Sequence, residues 1–248
     1  SEEYRLGTGA ELSVTRLATL KMYPRKFYLK NVLKLSTEEC SFFEVCQENS
    51  TYEENDIVEE EGQGVFDILS SSAARGSLVH EEIEYAIKHN LVRPMTTILD
   101  EQTSKGVDWI IEELKALSEN SNLVSEEPLK FSLFGQMISG IPDLVIYSKE
   151  GIVTEIWDFK TGRYNEEKSK PYWLQLEAYG YGLTHSGFKN EVKLVLAFID
   201  EKELVVRSLD RNGLEESLFE TWQQLSNLER TNQEHCKQCE YSQLCQLN

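Results

Sequence analysis

The sequence predicts an α/β protein in which a small mixed sheet is flanked by helices. Helical patterns fill the N-terminal part of the chain, and a group of short strand-like segments follows between about residues 129 and 160. One amphipathic helix then separates these segments from two further strands, as a crossover helix does in a sheet. A last helix leads into a tail that contains three of the five cysteines. We therefore expect an N-terminal helical flank, a central sheet and a Cys-containing C-terminal tail.

The first elements in the chain follow from capping and breaking residues. Ser13 is the predicted N-cap of a helix that runs to about Leu33 and is interrupted at Pro24. Residues 47–64 contain many acids and few core formers, which indicates a mobile loop or an insertion. The later helices are predicted at about 73–90, 101–118, 170–186 and 214–230. The strands are predicted at about 129–135, 137–147, 152–160, 191–200 and 203–208.

Charge and hydropathy limit the classes of partner. The net charge is −18, which argues against simple nucleic-acid binding, but the charges are unevenly distributed. No acidic residue occurs from Leu12 to Lys34, and Lys160, Arg163, Lys168 and Lys170 form a second basic group. No apolar run is long enough to span a bilayer, and the start does not resemble a signal peptide. We expect no membrane partner and a cytoplasmic location.

The segment from Asp143 to Lys160 combines a fold signal with a chemical one. It predicts a β-hairpin whose turn lies at residues 148–151 and whose second strand lies beside Asp143. Asp158 and Lys160 alternate along that strand, so their side chains leave the same face, while Phe159 points into a core. Two carboxylates and an ammonium group at a strand end predict a divalent-metal site of the kind that cleaves phosphodiesters.

Two helices carry further candidate residues. His80 lies near the start of the helix at 73–90, where Gly76 would allow close packing. A lone histidine is more often structural than a ligand, but this one precedes the hairpin with the paired carboxylates. In the helix at 170–186, Tyr172, Gln175 and Tyr179 share one face. Ordinary amphipathic packing would explain the tyrosines, whereas the polar Gln175 between them suggests a face that points into a site.

Four motifs occur in order: RGSLVH, GIPDLV, WDFKTG and QLEAY. Their series resembles the RecB-type branch of the PD-(D/E)XK nucleases. That branch includes the nuclease domains of the RecBCD and AddAB helicase–nucleases and the CRISPR-associated four-cysteine exonucleases. The resemblance covers nearly the whole chain and implies a single nuclease domain with a restriction-endonuclease-like core. Its parts would be an N-terminal helix and acidic loop (1–72), a catalytic core (73–210), and a C-terminal helix and Cys tail (211–248).

The resemblance also implies roles for individual residues. His80, Asp143, Asp158 and the Phe159 carbonyl would be ligands of Mg²⁺ or Mn²⁺. Lys160 would orient or activate the attacking water, and Gln175 with Tyr179 would support the site and the DNA.

The cysteine tail resembles that of the iron–sulfur members of this branch. Cys236, Cys239 and Cys245 would be three of the cluster ligands, but Tyr23 occupies the position of the expected fourth cysteine, directly before Pro24. Cys40 or Cys46 could replace it. A [4Fe–4S] cluster, a zinc site and a vestigial tail therefore remain open.

The expected function is that of a metal-dependent DNA exonuclease, acting in DNA end processing and recombinational repair with a helicase domain or subunit as partner. The start at Ser1 without methionine fits a fragment of a larger helicase–nuclease, although methionine removal or a tag remnant would look the same. Two alternatives are a stand-alone CRISPR-associated-type exonuclease on single-stranded DNA and a catalytically inactive DNA-binding or scaffolding module.

Overall fold

The computed structural model describes residues 11–32, 72–94, 99–185, 187–224 and Tyr241. These residues fall into two compact units. One contains residues 11–32, 132–138, 215–224 and Tyr241, and the other contains residues 72–94, 99–131 and 139–214 as far as they are described. The predicted catalytic core at 73–210 overlaps the second unit, while the single-domain organisation stays a prediction.

The first unit contains the N-terminal helices. Ser13 Oγ accepts the Arg16 N–H at 3.2 Å and caps helix α1 (Val14–Met22), as predicted. The helix ends before Tyr23, because a residue that precedes proline disfavours the helical conformation. Pro24 then starts the short helix α2 (Pro24–Phe27), which a turn of π-helix at Tyr28–Val32 extends. The predicted interruption at Pro24 is confirmed.

The described strands form two sheets. A three-stranded sheet has the order β1-β4-β3, with β1 at Leu12–Ser13, β3 at Leu129–Leu133 and β4 at Gln136–Gly140. A five-stranded sheet has the order β2-β5-β6-β7-β8. Its strands are β2 (Ser121–Ser125), β5 (Leu144–Ser148), β6 (Val153–Lys160), β7 (Lys193–Phe198) and β8 (Glu203–Ser208).

The five-stranded sheet is mixed. Only β6 and β7 are parallel, and helix α5 (Glu166–Leu183) connects them and contacts both. The other neighbours in this sheet pair antiparallel. The predicted crossover helix is therefore confirmed, and the protein has the α/β fold that the sequence predicts.

Two helices build the core of the second unit against this sheet. They are α3 (Ser72–Lys88) and α4 (Glu101–Ser118), which match the predicted helices at 73–90 and 101–118 closely. Asp100 caps α4 by accepting the Thr103 N–H at 3.0 Å. Trp157 and Phe159 of β6 pack with the apolar residues of both helices, so the alternating residues Asp158 and Lys160 belong to the opposite face of the strand. This places the polar pair on the face that is not filled by α3 and α4.

Several predicted boundaries are wrong. The single strand predicted at 137–147 is two strands, β4 and β5, which lie in different sheets. The break falls at residues 141–143, where Pro142 lacks the N–H that a continuous ladder requires. Strand β2 was not predicted, because its sequence SNLVS offers little strand pattern.

Two helices begin earlier than predicted. Helix α5 begins at Glu166 because Asn165 Oδ1 caps it by accepting the Lys168 N–H at 3.0 Å. Helix α6 (Arg211–Gln224) begins three residues before the predicted start at 214. The predicted loop at 47–64, residues 225–230 and the five cysteines lie outside the described residues. None of the helices within the described ranges is long and apolar enough to cross a membrane.

Gly106 provides a test of the packing between α4 and β7. A Cβ built at Gly106 would lie 2.3 Å from the Ile199 backbone oxygen, so an alanine cannot fit without moving the backbone. Alanine raises helix propensity by about 1 kcal/mol over glycine, but overpacking of a core typically costs ~1–3 kcal/mol. We expect Gly106→Ala to lower the free energy of unfolding in urea titrations.

Gly76→Ala in α3 is the matched control. A Cβ there would meet only Thr161 Oγ1 at 4.0 Å, an ordinary contact, so close packing does not require this glycine. We expect Gly76→Ala to leave the free energy of unfolding unchanged or to raise it by up to about 1 kcal/mol. Equal effects of the two substitutions would contradict the close approach of α4 to Ile199.

Candidate active site

The hairpin of β5 and β6 brings Asp143 to the end of β6. Leu144 pairs with Trp157, so the register continues to Asp143 and Asp158 just beyond the paired residues. Asp143 Oδ2 accepts the N–H of Phe159 at 2.8 Å. One carboxylate is thereby fixed to the backbone between Asp158 and Lys160.

His80 of helix α3 approaches the same backbone from the other side of Asp143. Its Nε2 lies 2.7 Å from the Phe159 carbonyl oxygen, and its Nδ1 lies 3.4 Å from Asp143 Oδ2. Burial disfavours the charged ring, but the Asp143 carboxylate outweighs this effect and raises the pKa of His80. Three of the four predicted metal ligands, His80, Asp143 and the Phe159 carbonyl, therefore lie in mutual contact.

Asp158 and Lys160 form an ion pair within the sheet. Lys160 Nζ lies 2.6 Å from Asp158 Oδ2, and the Asp158 residue is only 7% exposed. At this distance the Lys160 ammonium group directly offsets the charge of the buried carboxylate. The same ammonium group also faces the charge of Asp143, so two carboxylates share it, and the cluster is suited to a further cation.

The protonation of this pair follows from its surroundings. Burial raises the pKa of the Asp158 carboxyl, and the nearby Asp143 carboxylate raises it further, against the effect of Lys160. Burial would by itself lower the pKa of Lys160, but Asp158 and Asp143 outweigh it and raise that pKa. Lys160 is therefore held as a cation between two acids.

Two of the three predicted residues of helix α5 contact the neighbourhood of the site. The Tyr172 ring centroid lies 4.7 Å from Lys160 Nζ, which is a cation–π contact. The Tyr179 hydroxyl donates to the Ile141 carbonyl at 3.2 Å, and burial with the two aspartates raises the pKa of Tyr179 to about 12. Gln175 is half-buried, and its side chain has no hydrogen-bond partner within the described part of the chain. The role of Gln175 stays a prediction.

The four candidate ligands are of types that bind a hard divalent cation, but the Asp158 carboxylate does not contact the other three. An imidazole nitrogen, two carboxylates and a carbonyl oxygen are ligand types found for Mn²⁺ and Mg²⁺. Within the described ranges, no three His, Cys, Asp or Glu side chains already form a metal-ligating group. Asp158 is the separate member, because its carboxylate contacts Lys160 and not the pair of His80 and Asp143.

An acidic pocket that was not predicted from the sequence lies beside His80. It has a volume of about 520 Å³ and is lined by Gly76, Ser77, His80, Glu81, Glu84 and Glu126. Burial raises the pKa of Glu126, and the charges of Glu84 and Asp143 raise it further. Nothing in the sequence separates these glutamates from the many surface acids. Because they would repel phosphate, we expect a phosphate group to approach from the Lys160 side.

The predicted second basic group is partly neutralised. Arg163 pairs with Glu201 at 2.9 Å, and Lys170 pairs with Glu167 at 2.5 Å. Lys168 is exposed and has no ion-pair partner among the described residues. Only part of the predicted positive charge after β6 is therefore available to a polyanion.

The chain is similar to known proteins in one family match and in two solved structures. No curated protein matches the chain significantly. The protein of a crystal structure titled "SSO0001" shares 18% identity and a TM-score of 0.46, covering 95% of this chain and 85% of its own. A candidate exonuclease from Eubacterium rectale shares 13% identity and a TM-score of 0.49, covering 100% of this chain and 91% of its own. The family that matches is the PD-(D/E)XK nuclease superfamily, over residues 11–246. With nearly the whole chain matched, the protein belongs to the PD-(D/E)XK nuclease superfamily.

Proposed function

We propose that the protein is a metal-dependent DNA nuclease that hydrolyses phosphodiester bonds, acts as an exonuclease, and works with a helicase domain or subunit in DNA end processing and recombinational repair. One observation carries the catalytic part of this proposal. Asp158 is a carboxylate that is only 7% exposed, and it lies beside a lysine, a second aspartate and a histidine. This combination is expensive to bury for structural reasons alone.

The proposed ligands are His80, Asp143, Asp158 and the Phe159 carbonyl. Carboxylate and carbonyl oxygens suit Mg²⁺, and the imidazole favours Mn²⁺. A bound ion would polarise the scissile phosphate and lower the pKa of a bound water. The hydrogen bond from Phe159 N–H to Asp143 keeps one carboxylate in place for this role.

Lys160 acts as a fixed positive charge. Its raised pKa keeps it protonated, so it donates hydrogen bonds to the attacking water or to a phosphate oxygen and does not accept the proton. The Tyr172 ring restricts where the ammonium group can lie.

The face of α5 supports the site and the substrate. Tyr179 stays a neutral phenol at ordinary pH and holds the Ile141 carbonyl, two residues before Asp143. The Gln175 amide is left to contact the phosphate or the attacking water.

The charge of the protein supports a partner that delivers DNA. At a net charge of −18, long-range attraction of DNA is weak, and two of the four basic residues at 160–170 are paired with glutamates. A helicase that delivers an unwound DNA strand to the site would make long-range electrostatic attraction of DNA by this protein unnecessary. The motif resemblance to helicase–nucleases supports the same partner.

Cleavage assays on single-stranded DNA with Mg²⁺ or Mn²⁺ test the mechanism. We expect Asp158→Ala and Lys160→Ala to lower the cleavage rate roughly 100-fold or more, because each removes charge that acts at the reacting phosphate. Lys193→Ala is the matched control and should cleave like the parent, since Lys193 is an exposed lysine that pairs with Glu155, five positions along the pairing of β6 and β7 from Lys160. If the Asp158 and Lys160 variants cleave as fast as the parent, the assignment is wrong.

Calorimetric titration with Mn²⁺ in the absence of DNA tests the ligand set. We expect His80→Ala and Asp143→Asn to weaken Mn²⁺ binding by about tenfold or more, since each removes a proposed ligand. Glu81→Gln, which changes the acidic pocket alone, should leave the affinity unchanged. The opposite pattern, with only Glu81→Gln weakening the binding, would place the cation in the acidic pocket and contradict the proposal.

The C-terminal cysteines lie outside the described residues, and three proposals for them stay open: an iron–sulfur cluster completed by Cys40 or Cys46 in place of Tyr23, a zinc site, and a vestigial tail. The visible absorption spectrum of anaerobically purified protein separates them. A band that is lost in a Cys239→Ser variant would assign these cysteines to a cluster, and a spectrum without such a band would leave zinc or a vestigial tail.

A further inference from the structure

We propose that Asp200 is a positioning residue for the nuclease reaction, because it ties the turn that follows Lys160 to the helix that carries His80. The catalytic part of this inference rests on the proposed function. The contacts that carry it are made by three segments that are far apart in the sequence.

Asp200 receives hydrogen bonds from two of these segments on one oxygen. Its Oδ2 accepts the Gly162 backbone N–H at 2.7 Å and the Arg75 Nη2 at 3.0 Å. The Asp200 side chain is 8% exposed, whereas that of Arg75 is 33% exposed. A buried carboxylate with a backbone donor and a guanidinium group is well satisfied and therefore well fixed.

The first contact fixes the end of β6. Gly162 follows Lys160 by two residues and has a φ of +88°, a conformation that glycine adopts without strain. The Lys160 carbonyl accepts the N–H of Ile199 at 2.9 Å, next to Asp200. Both ends of the turn at 160–162 are thus hydrogen-bonded to residues 199–200. These bonds restrict the backbone of Lys160 and therefore the starting point of its side chain.

The second contact fixes the helix of the histidine. Arg75 lies five residues before His80 in α3, so its bond to Asp200 limits sliding and rotation of this helix. In the proposed reaction His80 is a ligand of the metal ion, and Lys160 acts on the phosphate or water at that ion. One carboxylate therefore determines the spacing of the two elements that bear them.

The Thr103 hydroxyl of α4 lies close to both Asp200 and Arg75, but it does not donate its proton to Asp200. Its hydroxyl lies 2.7 Å from Asp100 Oδ2 and 3.4 Å from Asp200 Oδ1, so its single proton goes to Asp100. Arg75 Nη1 donates to the same hydroxyl at 3.3 Å. Arg75 is therefore the cation that balances the charge of Asp200.

Kinetics of Asp200→Ala on single-stranded DNA test the inference, because alanine removes the acceptor that an asparagine would keep. We expect kcat to fall between about 10- and 100-fold, because a small displacement of Lys160 is sufficient for such a loss. We expect KM to stay within about twofold, because Asp200 does not contact the substrate. Asp210→Ala is the matched control: Asp210 also accepts a glycine N–H, that of Gly213 at 2.9 Å, at the start of α6. Its kcat should equal that of the parent.

Hydrogen exchange of the metal-free protein supplies a readout that does not depend on activity. In Asp200→Ala, the peptide that contains Gly162 should exchange faster than in the parent, because its N–H loses its acceptor, whereas in Asp210→Ala it should not. Unchanged exchange at Gly162, an unchanged kcat, or a loss that appears only in KM would overturn the inference.

Two further outcomes remain decisive. If Asp200→Ala does not fold, Arg75→Gln replaces it as the test variant, because it breaks only the contact of Asp200 with α3 and should lower kcat at unchanged KM. If the parent itself does not cleave DNA, the proposed function fails, and the exchange at Gly162 still decides whether Asp200 holds the turn.

Discussion

The site depends on the burial of Asp158 within strand β6. A carboxylate at this depth is disfavoured in its charged form, and the second carboxylate of Asp143 adds to the cost. Lys160 offsets part of it through the ion pair, but its ammonium group is shared between two carboxylates. The end of the strand can therefore accept additional positive charge. The other contacts of the site hold Asp143, His80 and Lys160 in fixed positions around Asp158.

The fold supplies those means through different elements. The antiparallel hairpin places Asp143 at the end of β6, and its bond to Phe159 N–H fixes it there. Helix α3 brings His80 to the Phe159 carbonyl, while the crossover helix α5 covers the other side with Tyr172 and Tyr179. The parallel pairing of β6 with β7 carries the chain to residue 200, beside the turn that follows Lys160. The topology and the chemistry of the site are thus linked through β6.

Local signals in the sequence predict much of this structure. The cap at Ser13, the break at Pro24 and the alternation of Asp158, Phe159 and Lys160 depend on neighbours in the chain, so the sequence indicates them directly. The prediction of one strand at 137–147 was wrong because two strands of different sheets meet at Pro142, and the division into two sheets depends on tertiary structure. Likewise, the bond of Asp200 to Gly162 joins residues 38 positions apart, and the pocket with Glu126 depends on folding; no short motif contains either.

The central claim is that His80, Asp143, Asp158 and the Phe159 carbonyl bind one divalent cation. A crystal structure with Mn²⁺, using the anomalous scattering of manganese, tests it most directly. We expect one strong anomalous peak among these four ligands, with the Asp158 carboxylate turned to the ion and the His80 Nε2 no longer 2.7 Å from the Phe159 oxygen. An anomalous peak in the acidic pocket of Glu84 and Glu126, or no peak with the contact of His80 and Phe159 intact, would contradict the claim.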